Sequence, residues 1–366
     1  MRDDEAMELA LTAGRAVRRR TAPNPWVGCA LVRDGEVVGV GATEPPGRAH
    51  AEAGALAQAG DRARGATAFV TLEPCSHHGR TPPCADALVA AGVTRVVAAL
   101  EDPDPRVAGE GFSRLRAAGV DVTVGVGAER AARDLAPYLY HRRTGRPFVV
   151  AKVATSVDGR VAAADGSSRW LTSEPARADA HELRADSQAV VVGAGTAIAD
   201  QPRLTARDVA LPPECPATRV LLDARGRVPA IGPLFDTGAA PTLVVTTYAA
   251  SPGAVDAWRA AGAKVEQVAP GADGVGVDLT ETFALLGREG VLQALVEGGG
   301  SLLGQVLAGG HAQRLVVYVA PLALGTRGTP ALGFAGPDTI TDASRYALTG
   351  VRRLGPDARL DYEVAR

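Results

Sequence analysis

The chain has 366 residues, 46% of them hydrophobic, with 39 basic and 41 acidic side chains and a formal net charge of -2. That length holds two domains, and the near-neutral balance with scattered Lys and Arg excludes an extended nucleic-acid footprint; the densest basic run, Arg18-Arg19-Arg20, reads as a solvated helix end. No apolar run is long enough to span a membrane and the acidic start is no signal peptide, while four cysteines, two of them in a metal-type motif, fit a reducing cytoplasm better than a disulfide framework.

In chain order, Asp3 or Asp4 caps a helix expected to reach about Arg20. Strands over Trp26–Arg33 and Glu36–Thr43 follow, turning at Asp34-Gly35, with Cys29 as a small buried hydrophobe. An Ala-rich helix over Ala49–Ala59 puts His50 and Glu52 in its first turn. Next come a strand over Ala66–Leu72, a helix over Pro83–Ala91 opening at Cys84, a strand over Thr94–Leu100, a helix over Gly111–Ala118 and a strand over Val120–Val126. A last helix over Ala128–Arg142 closes the half. The alternation predicts an α/β sandwich with a largely parallel sheet, its sites at the strand ends.

The polar tract from Arg142 to Pro147 marks the boundary, giving domains 1–146 and 147–366. The second half alternates again. Strands lie over Phe148–Ala154, Ala189–Val192, Arg219–Leu222, Thr242–Thr246, Lys264–Val268, Val291–Val296 and Arg314–Val319. Helices lie over Pro175–Ala185, Ala254–Ala261, Glu281–Arg288 and Ser301–Ala308. Cys215 sits in a proline-rich loop.

The first half holds a metal-type constellation. His50, Cys75 and Cys84 supply one imidazole and two thiols, three zinc donors that leave a fourth position for water, as catalytic zinc sites do. Glu52, two residues after His50, is placed to shuttle protons without being a ligand. H-x-E followed by P-C and a second Cys is the layout of zinc deaminases acting on ring amino groups. Eight residues separate the cysteines, however, and the common base-deaminase pattern has two. A structural zinc knot or a reduced thiol pair stays open from these residues alone, with His77 or His78 as a possible fourth ligand. A nucleic-acid base deaminase is opposed by the charge balance and the long loop.

In the second half, Val192-Gly193-Ala194-Gly195-Thr196-Ala197 follows a strand, and Glu297-Gly298-Gly299-Gly300-Ser301 joins a strand to a helix. Either can bring backbone N–H groups to a phosphate, or be a tight turn. The first is no dinucleotide fingerprint, because Ile198 occupies the third glycine position. Arg225 and Arg227, after a strand, are candidates for a cofactor phosphate or simply exposed cations.

Taken together, the long Cys–Cys loop, the Pro23-Asn24-Pro25-Trp26-Val27-Gly28-Cys29 stretch, Lys152–Arg160, Ser168–Ser173, His181-Glu182-Leu183-Arg184, Val192–Arg207 and Val296–Gly300 resemble the bacterial RibD family of bifunctional riboflavin-biosynthesis deaminase/reductases, over nearly the whole chain. One departure is Gln201, where the family usually has a second Asp after Asp200. The resemblance implies a cytidine-deaminase-like α/β sandwich followed by a dihydrofolate-reductase-like α/β domain. It implies zinc-dependent hydrolytic deamination of 2,5-diamino-6-ribosylamino-4(3H)-pyrimidinone 5′-phosphate, then NADPH-dependent reduction of the ribosyl group to give 5-amino-6-ribitylaminouracil 5′-phosphate. It also implies a homodimer through the reductase domain, with a small-molecule substrate and neither nucleic acid nor membrane as partner.

By position, the resemblance puts the pyrimidine on Asn24 and the cofactor on Ala154, Trp170, Thr196, Asp200 and the turn Gly299, Gly300, Ser301, Leu302, Leu303, Gly304 and Gln305. It puts the substrate of the second half on Ser168, Arg184, Leu204, Arg207 and Glu297. Arginines suit a sugar phosphate, being planar and permanently charged. Lys152 and Asp200 are the candidates for proton handling or polarisation in the reduction, as Glu52 is in the deamination.

Overall fold

The computed structural model describes residues 1–76, 82–272 and 274–364, and divides into two compact units, Met1–Gly145 and Arg146–Arg366. His77 and His78 lie outside the described residues.

The first unit runs α1 (Asp3–Ala16), β1 (Gly28–Arg33), β2 (Glu36–Ala42), α2 (Ala51–Ala59), β3 (Thr67–Val70), α3 (Cys84–Ala90), β4 (Arg95–Ala98), α4 (Glu110–Ala117), β5 (Asp121–Val124), α5 (Ala128–Asp134) and α6 (Ala136–Thr144). Helix α1 stops at Ala16, short of the expected Arg20, and neither Asp3 nor Asp4 caps it. Both lie inside the first turn, where their charge suits the dipole, and the Glu5 carboxylate reaches back to accept from the Arg2 N–H at 3.0 Å. The expected last helix is two, broken at Leu135. Pro137, in the first turn of α6, has no N–H to continue the ladder.

The sheet order is β2-β1-β3-β4-β5. Expected to be largely parallel, it is mixed. β1 pairs antiparallel with both β2 and β3, and only β3–β4 and β4–β5 are parallel. The tight turn at Asp34 (φ 53°) and Gly35 (φ 80°) makes the β1–β2 pair antiparallel, since two residues can join only antiparallel strands. Ala30, Val32, Phe69 and Val97 face α1 and α5.

On the other face α2 lies directly on β2. A Cβ at Gly41 would meet the Ala51 carbonyl oxygen at 2.1 Å, and one at Gly39 would meet that of Ala55 at 2.2 Å. Two absent side chains thus set where α2 begins. The start of β1 lies beside the ends of β2 and β3, with Gly28 opposite Ala42 and Cys29 opposite Val70. The segments carrying Asn24, His50 and Cys75 therefore leave the sheet at one end.

The second unit contains β6 (Phe148–Ser156), β7 (Arg160–Ala162), α7 (Glu174–Ala185), β8 (Ala189–Gly193), α8 (Ala194–Asp200), β9 (Thr218–Leu222), β10 (Thr242–Thr246), α9 (Pro252–Ala260), β11 (Lys264–Gln267), α10 (Leu279–Arg288), β12 (Gln293–Glu297), α11 (Gly300–Ala308), β13 (Arg314–Ala320), β14 (Thr329–Pro330), β15 (Tyr346–Leu354) and β16 (Asp357–Val364). A nine-stranded sheet has the order β11-β10-β9-β8-β12-β6-β13-β16-β15, and β14 pairs with β7 in a small ribbon. From β11 to β13 all pairings are parallel; the hairpin β15–β16 then adds antiparallel on β13. This C-terminal hairpin has no counterpart among the expected elements. Much of β15 is exposed, so its residues show no two-residue alternation.

One face of the sheet packs on α10 and α11 through Val149, Val191, Val220, Phe283 and Leu303. The opposite face packs on α8 and α9, where Trp258 is fully buried and its Nε1–H donates to the Val228 carbonyl at 2.9 Å, and on α7 through Ala176 and Leu183. Each such buried large apolar side chain contributes roughly 1.5–3 kcal/mol. The chain moves outward from β8 to β11, then returns to insert β12 between β8 and β6. That reversal opens a crevice at the carboxyl ends of these strands, where α/β sheets hold ligands.

Candidate active sites in each unit

In the first unit His50 is the N-cap of α2, Glu52 lies in its first turn, and Cys84 is the first residue of α3. The loop after β3 brings Cys75 to them. His50 Nδ1 stands 3.6 Å from Cys75 Sγ and 3.3 Å from Cys84 Sγ, and the Cys84 N–H donates to Cys75 Sγ at 3.4 Å. One ligand atom from each lies within 4.8 Å of the others, and no other group of three or more His, Cys, Asp or Glu among the described residues meets that test. Tetrahedral zinc with ordinary Zn–S and Zn–N bonds separates its N and S ligands by about 3.5 Å. The donor set and its spacing therefore fit zinc.

The electrostatics agree. The Cys84 thiol donates to Cys75 and His50 lies alongside, so Cys75 is drawn down to about 4, while Cys84 is raised. Cys75 in turn raises His50. Glu52, only 3% exposed, is pushed up to about 7 by burial and by Cys75. A carboxyl poised near neutrality beside a metal position is suited to taking and giving a proton.

The local reading did not single out Glu73. Its buried carboxylate accepts four backbone N–H groups. Gly111 at 2.9 Å and Phe112 at 3.3 Å reach Oε1, and Gly109 at 3.0 Å and Asp102 at 3.2 Å reach Oε2. It ties the Pro74-Cys75 chain to the start of α4. A charged residue in an apolar run beside the motif was the available signal. Asn24 sits half-buried in a turn, its N–H donating to the Thr21 carbonyl at 2.8 Å.

In the second unit a cleft of about 1080 Å³ opens at the strand reversal. Of the residues expected there, Lys152, Ala154, Ser168, Trp170, Arg184, Thr196, Asp200, Leu204, Arg207, Glu297, Gly299, Ser301, Leu302 and Gln305 line it. Gly300, Leu303 and Gly304 do not. Leu303 is in the core, a Cβ on Gly300 would meet the Pro330 carbonyl oxygen at 2.4 Å, and one on Gly304 would meet Gly333 at 2.8 Å. Arg177, His181, Arg203, Arg225 and Arg227 also line the cleft. Of these, Arg225 and Arg227 were expected as candidates for a cofactor phosphate, and His181 was legible too: it lies three residues before Arg184 on α7, hence on the same face.

At the floor of the cleft, β12 and β6 set Glu297 opposite Lys152. Arg184 grips Glu297 from α7, and Lys152 Nζ lies 3.9 Å from Glu297 Oε2. Burial would raise Glu297, but Arg184 and Lys152 hold it down to about 2. Burial lowers Lys152, and Glu297 opposes that shift. Asp200, at the end of α8, accepts from Arg169 through its carbonyl and faces the same guanidinium with its carboxylate at 3.7 Å. At the mouth, Trp170 is 71% exposed with the Arg177 guanidinium 4.5 Å over its ring.

Two helices begin at the cleft, α8 at Ala194 and α11 at Gly300, both leaving backbone N–H groups free for an anion. Thr196 Oγ1 accepts the Gly299 N–H at 3.0 Å and stitches the two starts together. Gly298 has φ 154°, and a Cβ there would approach Thr196 Oγ1 to 3.3 Å. These open, glycine-lined starts fit the phosphates of a dinucleotide.

Comparison with known proteins finds a family match within each unit. Residues 147–360 match the model of the RibD C-terminal domain, and residues 1–100 match the cytidine and deoxycytidylate deaminase zinc-binding region. The chain is 39% identical to the riboflavin biosynthesis protein RibD of Escherichia coli K12, over 98% of this chain and 99% of that one. It is 42% identical to RibD of Mycobacterium tuberculosis H37Rv, over 99% and 97%. Among solved structures, RibD of Acinetobacter baumannii superposes with a TM-score of 0.90 at 36% identity, over 100% of this chain and 99% of that one. A diaminohydroxyphosphoribosylaminopyrimidine deaminase/5-amino-6-(5-phosphoribosylamino)uracil reductase of Thermotoga maritima gives 0.87 at 28% identity, over 99% of each chain.

Proposed function

The chain belongs to the RibD family, which joins a zinc-dependent deaminase to an NADPH-dependent reductase of riboflavin biosynthesis, and on that premise we propose that its two units act in series on one pyrimidine ribosylamine phosphate. We assign the deaminase to residues 1–146 and the reductase to residues 147–366. The observation that supports this most is the convergence of His50, Cys75 and Cys84 beside the buried Glu52.

In the deaminase, His50, Cys75 and Cys84 hold the metal. Bound zinc supplies a Lewis acid that makes water nucleophilic near neutral pH. Glu52 takes the water's proton and delivers it toward the ring nitrogen and the departing ammonia. Asn24 hydrogen-bonds the pyrimidine and keeps the amino-bearing carbon facing Glu52.

In the reductase, bound NADPH supplies the hydride. The helix starts at Ala194 and Gly300, with Thr196, hold the cofactor's phosphates, and Trp170 and Ala154 flank it. Ser168, Leu204, Arg207 and the Arg184–Glu297 pair hold the sugar phosphate. Lys152 and Asp200 polarise the C1′=N bond of the opened ribose and give its nitrogen the proton that balances the hydride.

The unit also offers a route to a homodimer. Strand β15 is an edge of the sheet with Leu348 and Val351 exposed, a surface suited to a second copy. Four free cysteines support a cytoplasmic setting. The test is NADPH oxidation started with 2,5-diamino-6-ribosylamino-4(3H)-pyrimidinone 5′-phosphate and zinc-loaded protein. Oxidation with stoichiometric ammonia release is expected. Ammonia without oxidation would remove the reductase assignment, and neither would remove the substrate.

A further inference from the structure

Along α7, Arg177, His181 and Arg184 fall at helical spacing and line the cleft. Arg184 is engaged already. Its Nε and Nη2 go to Glu297, and its Nη1 donates to the Thr205 carbonyl at 3.4 Å. Arg207, which is exposed, uses Nη1 on Thr205 Oγ1 at 3.2 Å and presents Nη2 3.5 Å from His181 Nε2. An arginine N–H hydrogen-bonds a ring nitrogen only where that nitrogen is an acceptor, which Nε2 is in the neutral tautomer protonated at Nδ1. A protonated ring and Arg207 would be two donors facing one another, an arrangement that an anion seated on both satisfies.

We infer that His181 is a phosphate-reading residue of the reductase cleft, acting with Arg207, and that its ring takes up a proton when the sugar phosphate binds. This deepens the sugar-phosphate reading above and rests on it. The charged groups that act on the ring are Arg184 on α7, Arg207 on the loop after α8 and Glu297 on β12; Arg203 and Asp208 act in turn on Arg207, and Arg177 and Lys152 line the same cleft. Burial and then Arg184 and Arg207 lower the imidazole, with Glu297 and the Thr205 backbone opposing. A bound dianion reverses the sign of the nearest field. With Arg184 committed to Glu297, Arg207 and the protonated ring join Ser168 as the donors available to the phosphate. His181 is therefore a specificity residue for the phosphate and no donor to the carbon being reduced.

The test uses sulfate, which stays dianionic where phosphate esters titrate, as a competitor of the deaminated substrate in the NADPH-loaded full chain. In the wild type, sulfate inhibition should strengthen as pH falls from about 8 to about 6, on the order of tenfold for a ring that changes charge in this range. In His181→Gln that pH dependence should vanish and KM should rise on the order of tenfold at the lower pH, with kcat kept within about twofold. His181→Asn should behave alike, and Arg207→Gln should weaken sulfate at every pH. A pH trend that persists in His181→Gln, or a fall in kcat with KM and sulfate unchanged, would overturn the role. Absence of any sulfate competition in the wild type would instead sink the sugar-phosphate reading of the cleft, and this inference with it.

Discussion

Arg184 and Glu297 face each other fork to fork, Nε to Oε1 at 2.7 Å and Nη2 to Oε2 at 2.8 Å, although 113 residues separate them. The pair fastens helix α7 to the end of strand β12 and fixes one wall of the cleft against its floor. Lys152, beside Glu297 in the sheet register, shares that carboxylate.

Replacing Glu297 by Gln leaves two half-buried cations without their buried carboxylate. Breaking a buried pair in this way costs about 3–5 kcal/mol. The reductase unit should unfold at a lower temperature and NADPH oxidation should be lost. Zinc-dependent ammonia release should continue, which separates the effect from general misfolding.

Glu297 also predicts an acid limb. Its ordinary value of 4.5 falls to about 2 in the folded chain. The unfolded chain therefore binds the proton first as pH falls, and the stabilisation is complete above about pH 4.5 and lost by about pH 2. Denaturant midpoints of the second unit, followed across this window, should decline in the wild type and lose that component in Glu297→Gln.

Glu52→Gln should retain one zinc per chain by metal analysis and lose ammonia release by roughly 10²- to 10⁴-fold, the usual weight of a proton-transfer group. NADPH oxidation of an already deaminated substrate should be unchanged. Loss of zinc in this variant would make Glu52 a ligand and refute its role.

Gly41→Ala puts a methyl 2.1 Å from the Ala51 carbonyl oxygen and 2.5 Å from the Ala55 nitrogen, so α2 must move off the sheet. Overpacking costs about 1–3 kcal/mol. Because His50 and Glu52 ride on that helix start, zinc affinity and deaminase rate should fall together. An equally conservative change at exposed Gly238 should affect neither.

Glu73→Gln leaves one carboxamide oxygen to serve four N–H donors. The first unit should lose about 1–3 kcal/mol, read as a shift in thermal unfolding. The Cys75 loop should loosen, seen as faster zinc release to a chelator. An unchanged release rate would mean that Glu73 supports the fold and not the metal position.

The sequence by itself determined the two α/β halves, the candidate metal group His50, Cys75 and Cys84, and most of the residues that line the cleft. His50, Glu52 and Cys84 lie at helix starts that local spacing and composition reveal, and the glycine turns follow strand-like runs. Tertiary structure decided what depends on partners far along the chain. The Arg184–Glu297 grip needed β12 to return between β8 and β6. The four N–H groups on Glu73 come from a loop and the start of α4, some 30 to 40 residues away. Leu204 was read as a substrate contact, and it lines the cleft; it is also 2% exposed with φ 56°, an unusual conformation for a large side chain that seats its loop in the core cluster of α8 and α9. The hairpin β15–β16 escaped because β15 is largely exposed and β16 buries the charged Asp357, Arg359 and Asp361, so neither strand carries a hydrophobic period. Periodicity records which side of an element is buried; it does not record what the element is buried against.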